Sequence, residues 1–173
     1  MQNLKFKNVI LIGFMGAGKS EVGEKLALKL DMDYINTDDI IEREEGKKIS
    51  QIFKDRGESY FRDLETKLLD AISEIDNTVI STGGGMVLRK ENVEKLKRLG
   101  PLILLSAREE VIAERLKNVR NRPLLDVPDP KAKIKEILEF RNPIYNAVAD
   151  FKVDTSDLDI ETAVEKILNY LKT

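Results

Sequence analysis

Gly13-Phe14-Met15-Gly16-Ala17-Gly18-Lys19-Ser20 is the stretch from which the fold of this chain is read. It satisfies every fixed position of the spacing G-x-x-x-x-G-K-[ST], and its flanks carry as much information as its letters. Val9-Ile10-Leu11-Ile12 precedes it, a short apolar block with β-branched residues that predicts a buried strand. Val22, Leu26, Ala27 and Leu30 follow at helical spacing. Strand, glycine-rich turn and helix in that order make a phosphate-binding loop. The glycines let successive N–H groups converge on an anion, and the helix start adds the positive end of its dipole. Lys19 then reaches the outer phosphates of a nucleoside triphosphate, and Ser20 offers its hydroxyl to Mg²⁺.

Working outward, the same grammar repeats. Tyr34-Ile35-Asn36 reads as a second strand entering Thr37-Asp38-Asp39, with a helix from Ile40 to about Gly46. Ile49 to Phe53 form a short amphipathic piece broken by Gly57, and Phe61, Leu64, Leu68, Ile72 and Ile75 mark one face of a long helix. Thr78-Val79-Ile80-Ser81 is a third strand running into Thr82-Gly83-Gly84-Gly85, followed by a helix from Leu88 to Leu99 that Gly100 and Pro101 stop. Leu102 to Leu105 is a fourth strand, with Ser106 and Glu109 as a capping box for the next helix. The pattern fails from Lys117 to Pro130, which predicts a mobile loop. A helix from about Lys131 is kinked or ended by Pro143, Phe151-Lys152-Val153 is a fifth strand, and Ile160 to Leu171 carries a clean apolar stripe. Strands alternating with helices predict an α/β fold: a five-stranded parallel sheet covered by helices on both faces, with ligands outside the carboxyl ends of its strands. A single domain over 1–173 is expected, with a core of 1–30, 76–116 and 149–173, an insertion at about 31–75 and a lid at about 117–130.

Composition narrows the chemistry. With 42% hydrophobic and 35% charged residues, 173 residues are enough for one substantial core and exclude a disordered chain. A net charge of −2 favours neither nucleic acid nor a membrane surface. The chain has no cysteine and no histidine, so zinc sites built on them are excluded and proton transfer near neutral pH falls to a carboxylate, a lysine or a tyrosine. No apolar run approaches membrane length and no signal-peptide core precedes the first strand, so a cytoplasmic location is expected, and a monomer.

A phosphate loop names the nucleotide but not its use. Guanine-switch proteins carry D-x-x-G and N-K-x-D, yet no glycine here has Asp three residues before it and no Asn is followed by Lys. Transfer from ATP to a small acceptor fits better. Asp38, at a strand end, is placed to orient or deprotonate an acceptor hydroxyl; helix N-capping by Asp38 or Asp39 is the competing reading. Arg62, with Glu58 four residues before and Glu65 three after, is explained by an exposed helical ion pair alone. Arg141 extends the stripe Ile134, Ile137, Leu138 and Tyr145, where a cation needs an anionic partner from substrate or protein. Lys117, Arg120 and Arg122 load a loop without aromatic residues, so a lid neutralising a transferring phosphate fits better than base stacking. Three consecutive glycines, Gly83, Gly84 and Gly85, exceed what a turn needs and predict backbone facing a substrate.

Taken in order, Gly13 to Ser20, Asn36-Thr37-Asp38, Phe61-Arg62 with Glu65, Thr82 to Gly85, Arg122-Pro123-Leu124-Leu125 and Arg141-Asn142-Pro143-Ile144-Tyr145 resemble the shikimate kinases, phosphate-loop kinases of nucleoside-monophosphate-kinase-like fold. The resemblance covers nearly the whole chain. It implies transfer of the γ-phosphoryl group of ATP to the 3-hydroxyl of shikimate, on the route to chorismate and the aromatic amino acids. Shikimate would be held by Asp38, Arg62, Gly83, Gly84, Gly85 and Arg141, which reverses the reading of Arg62. ATP would lie against Gly16, Ala17, Gly18, Lys19, Ser20 and Glu21, with Arg122 on its phosphates and Arg115 against adenine. Lys19, Asp38 and Arg122 would be catalytic, and Ser20 and Asn36 would hold Mg²⁺. Two positions depart from the family: Asn36 stands where Asp is usual, with Asp39 able to compensate, and Glu21 stands where a hydroxyl residue is common. Another small-molecule kinase, for gluconate or a nucleotide, and a non-catalytic nucleotide-binding regulator are the alternatives.

Overall fold

Five short segments pair as one all-parallel sheet in a computed structural model that describes residues 6–119 and 122–173. They are β1 (Asn8–Ile12), β2 (Asp33–Asn36), β3 (Thr78–Ser81), β4 (Leu102–Ser106) and β5 (Phe151–Asp154), in the order β2-β3-β1-β4-β5. Side chains alternate across the sheet, so β1 feeds two cores at once. Val9 and Leu11 pack with Val22 and Leu26 of α1 (Lys19–Leu30) and with Val164 and Ile167 of α7 (Ile160–Leu171). Ile10 and Ile12 pack on the opposite face with Leu96 of α4 (Lys90–Leu99), Ile112 of α5 (Glu109–Leu116) and Leu138 and Tyr145 of α6 (Pro130–Val148). From β1 the chain first builds one side of the sheet and later the other, so the loop after β1 opens at the point where the strand order reverses.

Between β2 and β3 lie α2 (Thr37–Glu45) and α3 (Ile49–Ala71), which hold a small core of their own made of Ile41, Ile52, Phe61 and Leu68. Gly57 has φ 82°, a left-handed conformation that breaks α3 into 49–56 and 58–71 and turns Phe61 and Arg62 toward the sheet's carboxyl edge.

Several local expectations are replaced. The capping box on Ser106 is not formed. β4 runs through Ser106, whose carbonyl accepts the Thr155 N–H at 2.8 Å, and α5 begins at Glu109. Pairing with β5 outcompetes the local cap. Pro143 neither ends nor shortens α6, which continues to Val148. It lies on the exposed side of the helix, while Ile134, Leu138 and Tyr145 hold the opposite face. Among the described residues the segment after α5 contains one short 3₁₀ turn, Pro123–Leu125; Arg120 and Asn121 of the expected lid lie outside those residues.

Candidate functional site

The phosphate loop takes the shape its glycines permit. Gly16 and Gly18 have φ of 79° and 95°, and α1 starts directly at Lys19 with no side-chain cap, leaving its first N–H groups to a ligand. Lys19 is nearly buried, and its Nζ donates to the carbonyls of Gly13 and Phe14 at 2.7 and 2.9 Å. Burial pulls its pKa down to about 8, opposed by the charge of Asp38 and assisted by those of Arg122 and Arg141. The loop is braced from behind. Arg115 donates to the Gly16 carbonyl at 3.0 Å and to Oγ1 and the carbonyl of Thr155 at 3.1 and 2.8 Å, and Thr155 Oγ1 donates to the Ala17 carbonyl. With Gly16, Val22, Leu158 and Ile160, Arg115 walls a second cavity beside the loop. Glu21 is exposed at its rim.

Gly83-Gly84-Gly85 forms the floor next to this loop, and its glycines make room for charged side chains of the protein itself. A Cβ on Gly83 would lie 2.6 Å from Asp38 Oδ1 and 2.9 Å from Glu65 Oε1. On Gly84 it would meet Arg141 Nη1 at 3.4 Å, and on Gly85 it would fall inside the guanidinium of Arg62. The floor is pinned from α2 and α6: Gly83 N–H donates to Thr37 Oγ1 at 3.0 Å, and Tyr145 Oη donates to the Gly84 carbonyl at 2.6 Å.

Asp38, Arg62 and Arg141 thus meet over three residues. Asp38 Oδ1 is enclosed yet without a hydrogen-bond partner, as are Glu65 Oε1 and Arg62 Nε. Burial raises the Asp38 carboxyl above its ordinary range, against the pull of Lys19, Arg122 and Arg62. Arg62 is 8% exposed, and its two terminal nitrogens donate to Glu65 at 2.7 Å and Glu58 at 3.0 Å. So the ion pairs of the sequence reading exist, but on a buried arginine at the edge of a cleft. Arg141, 4% exposed, sits on the Ile134–Tyr145 face of α6 as the spacing predicts. Ser20, Asp38, Arg62, Gly84, Arg122 and Arg141 all line one cleft of about 410 Å³.

The helix-capping question is settled by Asn36, not by either aspartate: its Oδ1 accepts the Asp38 N–H at 3.0 Å at the start of α2. Its Nδ2 faces Ser20 Oγ at 3.3 Å. Ser20 itself is exposed. Among the described residues no group of three or more Asp, Glu, His or Cys side chains could hold a metal ion. A cation that keeps several waters and rests mainly on phosphate oxygens needs only one or two protein ligands, and the Ser20 hydroxyl fits that demand.

Glu65 and Tyr145 belong to the site, although the sequence reading names them in its motifs without giving either a role there. The signal for Glu65 was present: with Phe61, Leu68 and Leu69 it occupies the buried stripe of α3, a carboxylate at a core position. Tyr145 reads as core, and its hydroxyl partner is a backbone carbonyl that no spacing announces.

A loop that grips phosphates therefore faces, across one cleft, two buried arginines and an unpartnered carboxylate, the layout of a phosphate-loop kinase acting on a small anionic acceptor. The family model described as shikimate kinase matches residues 15–172. The chain is 49% identical over 162 residues to a shikimate kinase of Thermodesulfovibrio yellowstonii, covering 94% of this chain and 93% of that one. It is 44% identical to one of Caldanaerobacter subterraneus, covering 96% and 97%. The structure of the Acinetobacter baumannii shikimate kinase in complex with shikimate superposes with a TM-score of 0.92 at 35% identity, over 96% of this chain and 93% of that one. The chain belongs to the shikimate kinase family.

Proposed function

We propose that the chain transfers the γ-phosphoryl group of ATP to the 3-hydroxyl of shikimate, releasing shikimate 3-phosphate and ADP on the cytoplasmic route to chorismate, and that it acts as a monomer. The carrying observation is the convergence of Asp38, Arg62 and Arg141 on the glycine floor beside the phosphate loop.

The fork groups of Arg62 and Arg141 suit a carboxylate and would anchor the acid, while Asp38 Oδ1 accepts from the ring hydroxyl. That hydroxyl oxygen attacks the γ-phosphorus as the bond to the β-bridging oxygen breaks. Its proton passes to Asp38, whose raised basicity suits the task, and ADP departs with the bond pair. The loop amides, Lys19 and Arg122 neutralise the charge that spreads over the transferring oxygens. Mg²⁺ bound to ATP at Ser20 supplies further positive charge there. Adenine would lie against Arg115, whose three hydrogen bonds hold its guanidinium plane in place. The insertion at 31–75 carries the acid-binding side, and the segment 117–130 closes over the phosphates to exclude water.

ADP release measured with ATP and Mg²⁺, with and without shikimate and against a panel including gluconate and nucleoside monophosphates, tests this reading. Shikimate alone should stimulate turnover. Stimulation by another acceptor, or none by shikimate, overturns it.

A further inference from the structure

We propose that Asn36 meets a nucleotide-bound cation with amide hydrogens and does not ligate it. The inference rests on the nucleotide reading above and adds to it how the cation is held.

The orientation of the Asn36 amide follows from its cap. The Asp38 backbone N–H can only donate, so the atom 3.0 Å from it must be the Asn36 oxygen. The opposite flip would oppose two donors and leave the first turn of α2 uncapped. With Oδ1 committed, Nδ2 is what Asn36 turns toward Ser20 Oγ, at 3.3 Å. Nδ2 has hydrogens and no lone pair to give a cation. A hydroxyl oxygen has two acceptor positions, so a donor at Nδ2 still leaves the Ser20 oxygen able to bind a cation. Asn36 is thus a strut from the end of β2 to the start of α1. A neutral amide adds no attraction for a divalent ion, so residue 36 contributes no charge to cation binding beside the Ser20 hydroxyl.

The test uses the full chain with ADP and Mn²⁺ as probe, reading Mn²⁺ binding by electron paramagnetic resonance, ADP affinity in EDTA by calorimetry, and the thermal midpoint. Asn36→Ala should leave Mn²⁺ affinity in the ADP complex within about two-fold while lowering the midpoint by several degrees through loss of the cap. Asn36→Asp keeps an equally good cap, so the midpoint should hold, and the new carboxylate beside Ser20 should tighten Mn²⁺ by about ten-fold. If Asn36→Ala weakens Mn²⁺ five-fold or more with ADP affinity in EDTA unchanged, Asn36 is a ligand and the proposal is wrong. Unchanged Mn²⁺ affinity in Asn36→Asp also overturns it, because residue 36 would then be out of reach of the ion. Failure of the wild-type chain to bind ADP in EDTA is a different result, overturning the nucleotide reading itself.

Discussion

Substituting the three floor glycines one at a time separates the roles of the charged side chains above them, and Gly85→Ala is the sharpest case. Gly85 has φ −96° and ψ 2°, which alanine adopts without strain, so the whole effect must come from the added methyl group. That methyl lies inside the Arg62 guanidinium, more than about 1 Å closer than the ~3.5–4.0 Å of ordinary carbon contact. The group must retreat by at least that much. A 2.7 Å bond to Glu65 then lengthens beyond hydrogen-bond range. Parting a buried ion pair costs about 3–5 kcal/mol. Glu65 escapes part of this by taking up a proton near pH 7, so we expect a loss of about 2 kcal/mol at pH 7, rising toward about 4 kcal/mol by pH 9.

For catalysis, a misplacement of about 1 Å in a substrate clamp costs on the order of 10²-fold. Gly85→Ala should therefore raise the shikimate KM by about that factor and leave the ATP KM within two-fold. Gly84→Ala is the control, since its methyl would meet Arg141 Nη1 and the Gly13 carbonyl at 3.4 Å, a contact small shifts relieve. Gly83→Ala intrudes on Asp38 Oδ1 at 2.6 Å and should lower kcat more than it raises KM. Steady-state kinetics varying each substrate, with urea unfolding at pH 7 and 9, reads all three. An unchanged shikimate KM in Gly85→Ala, or equal losses in Gly84→Ala and Gly85→Ala, would refute the assignment of the floor to these side chains.

Two further changes test neighbouring groups. Asp38→Asn keeps shape but removes the proton acceptor, so turnover should fall by about two or more orders of magnitude with ADP affinity near normal; near-wild-type turnover would exclude a catalytic Asp38. Glu65 titrates at about 7 in the folded protein because burial outweighs the pull of Arg62, against an ordinary value of 4.5. A carboxyl whose folded pKa is raised binds its proton better when folded, so its contribution is full below pH 4.5 and lost as pH rises through 7, about 3 kcal/mol in all. Glu65→Gln should flatten that part of the curve of unfolding free energy against pH, and an unaltered slope would show that Glu65 does not titrate there.

The parallel sheet, the two helix layers and the phosphate loop were legible because each rests on local pattern: apolar runs of strand length, helical stripes, and glycines before Lys19. Strand order is not local, yet the βαβ grammar confines it to few arrangements. What pattern could not deliver was the meaning of Gly83-Gly84-Gly85. Three glycines announce close approach, but whether a substrate or the protein's own side chains come close depends on residues tens of positions away in α2, α3 and α6. The same gap hid the cap of α2. Asn36 ends a strand and caps a helix at once, whereas Asp38 and Asp39 were better placed by composition alone. Ser106 fails in the opposite direction, its local capping signal overridden by pairing with β5, a partner almost 50 residues on.

Arg62 shows best how the levels combine. Spacing alone assigned it to helical ion pairs with Glu58 and Glu65, and both pairs exist. Yet an exposed pair of this kind is worth less than about 1 kcal/mol and would need no glycine beneath it. Burying the guanidinium, giving it a fully buried partner in Glu65, and removing the side chain at residue 85 to admit it are three separate concessions to one position. Lys19 makes a parallel concession on the other wall, its pKa drawn down to about 8 by burial, which amounts to about 3 kcal/mol against keeping its charge. Cations held at such cost gain more from an arriving anion than exposed ones, since phosphate and carboxylate meet them with little water left to displace. On the proposed reading, the desolvation already met on either side of the glycine floor would favour binding of both substrates, with Asp38 between them to orient the hydroxyl.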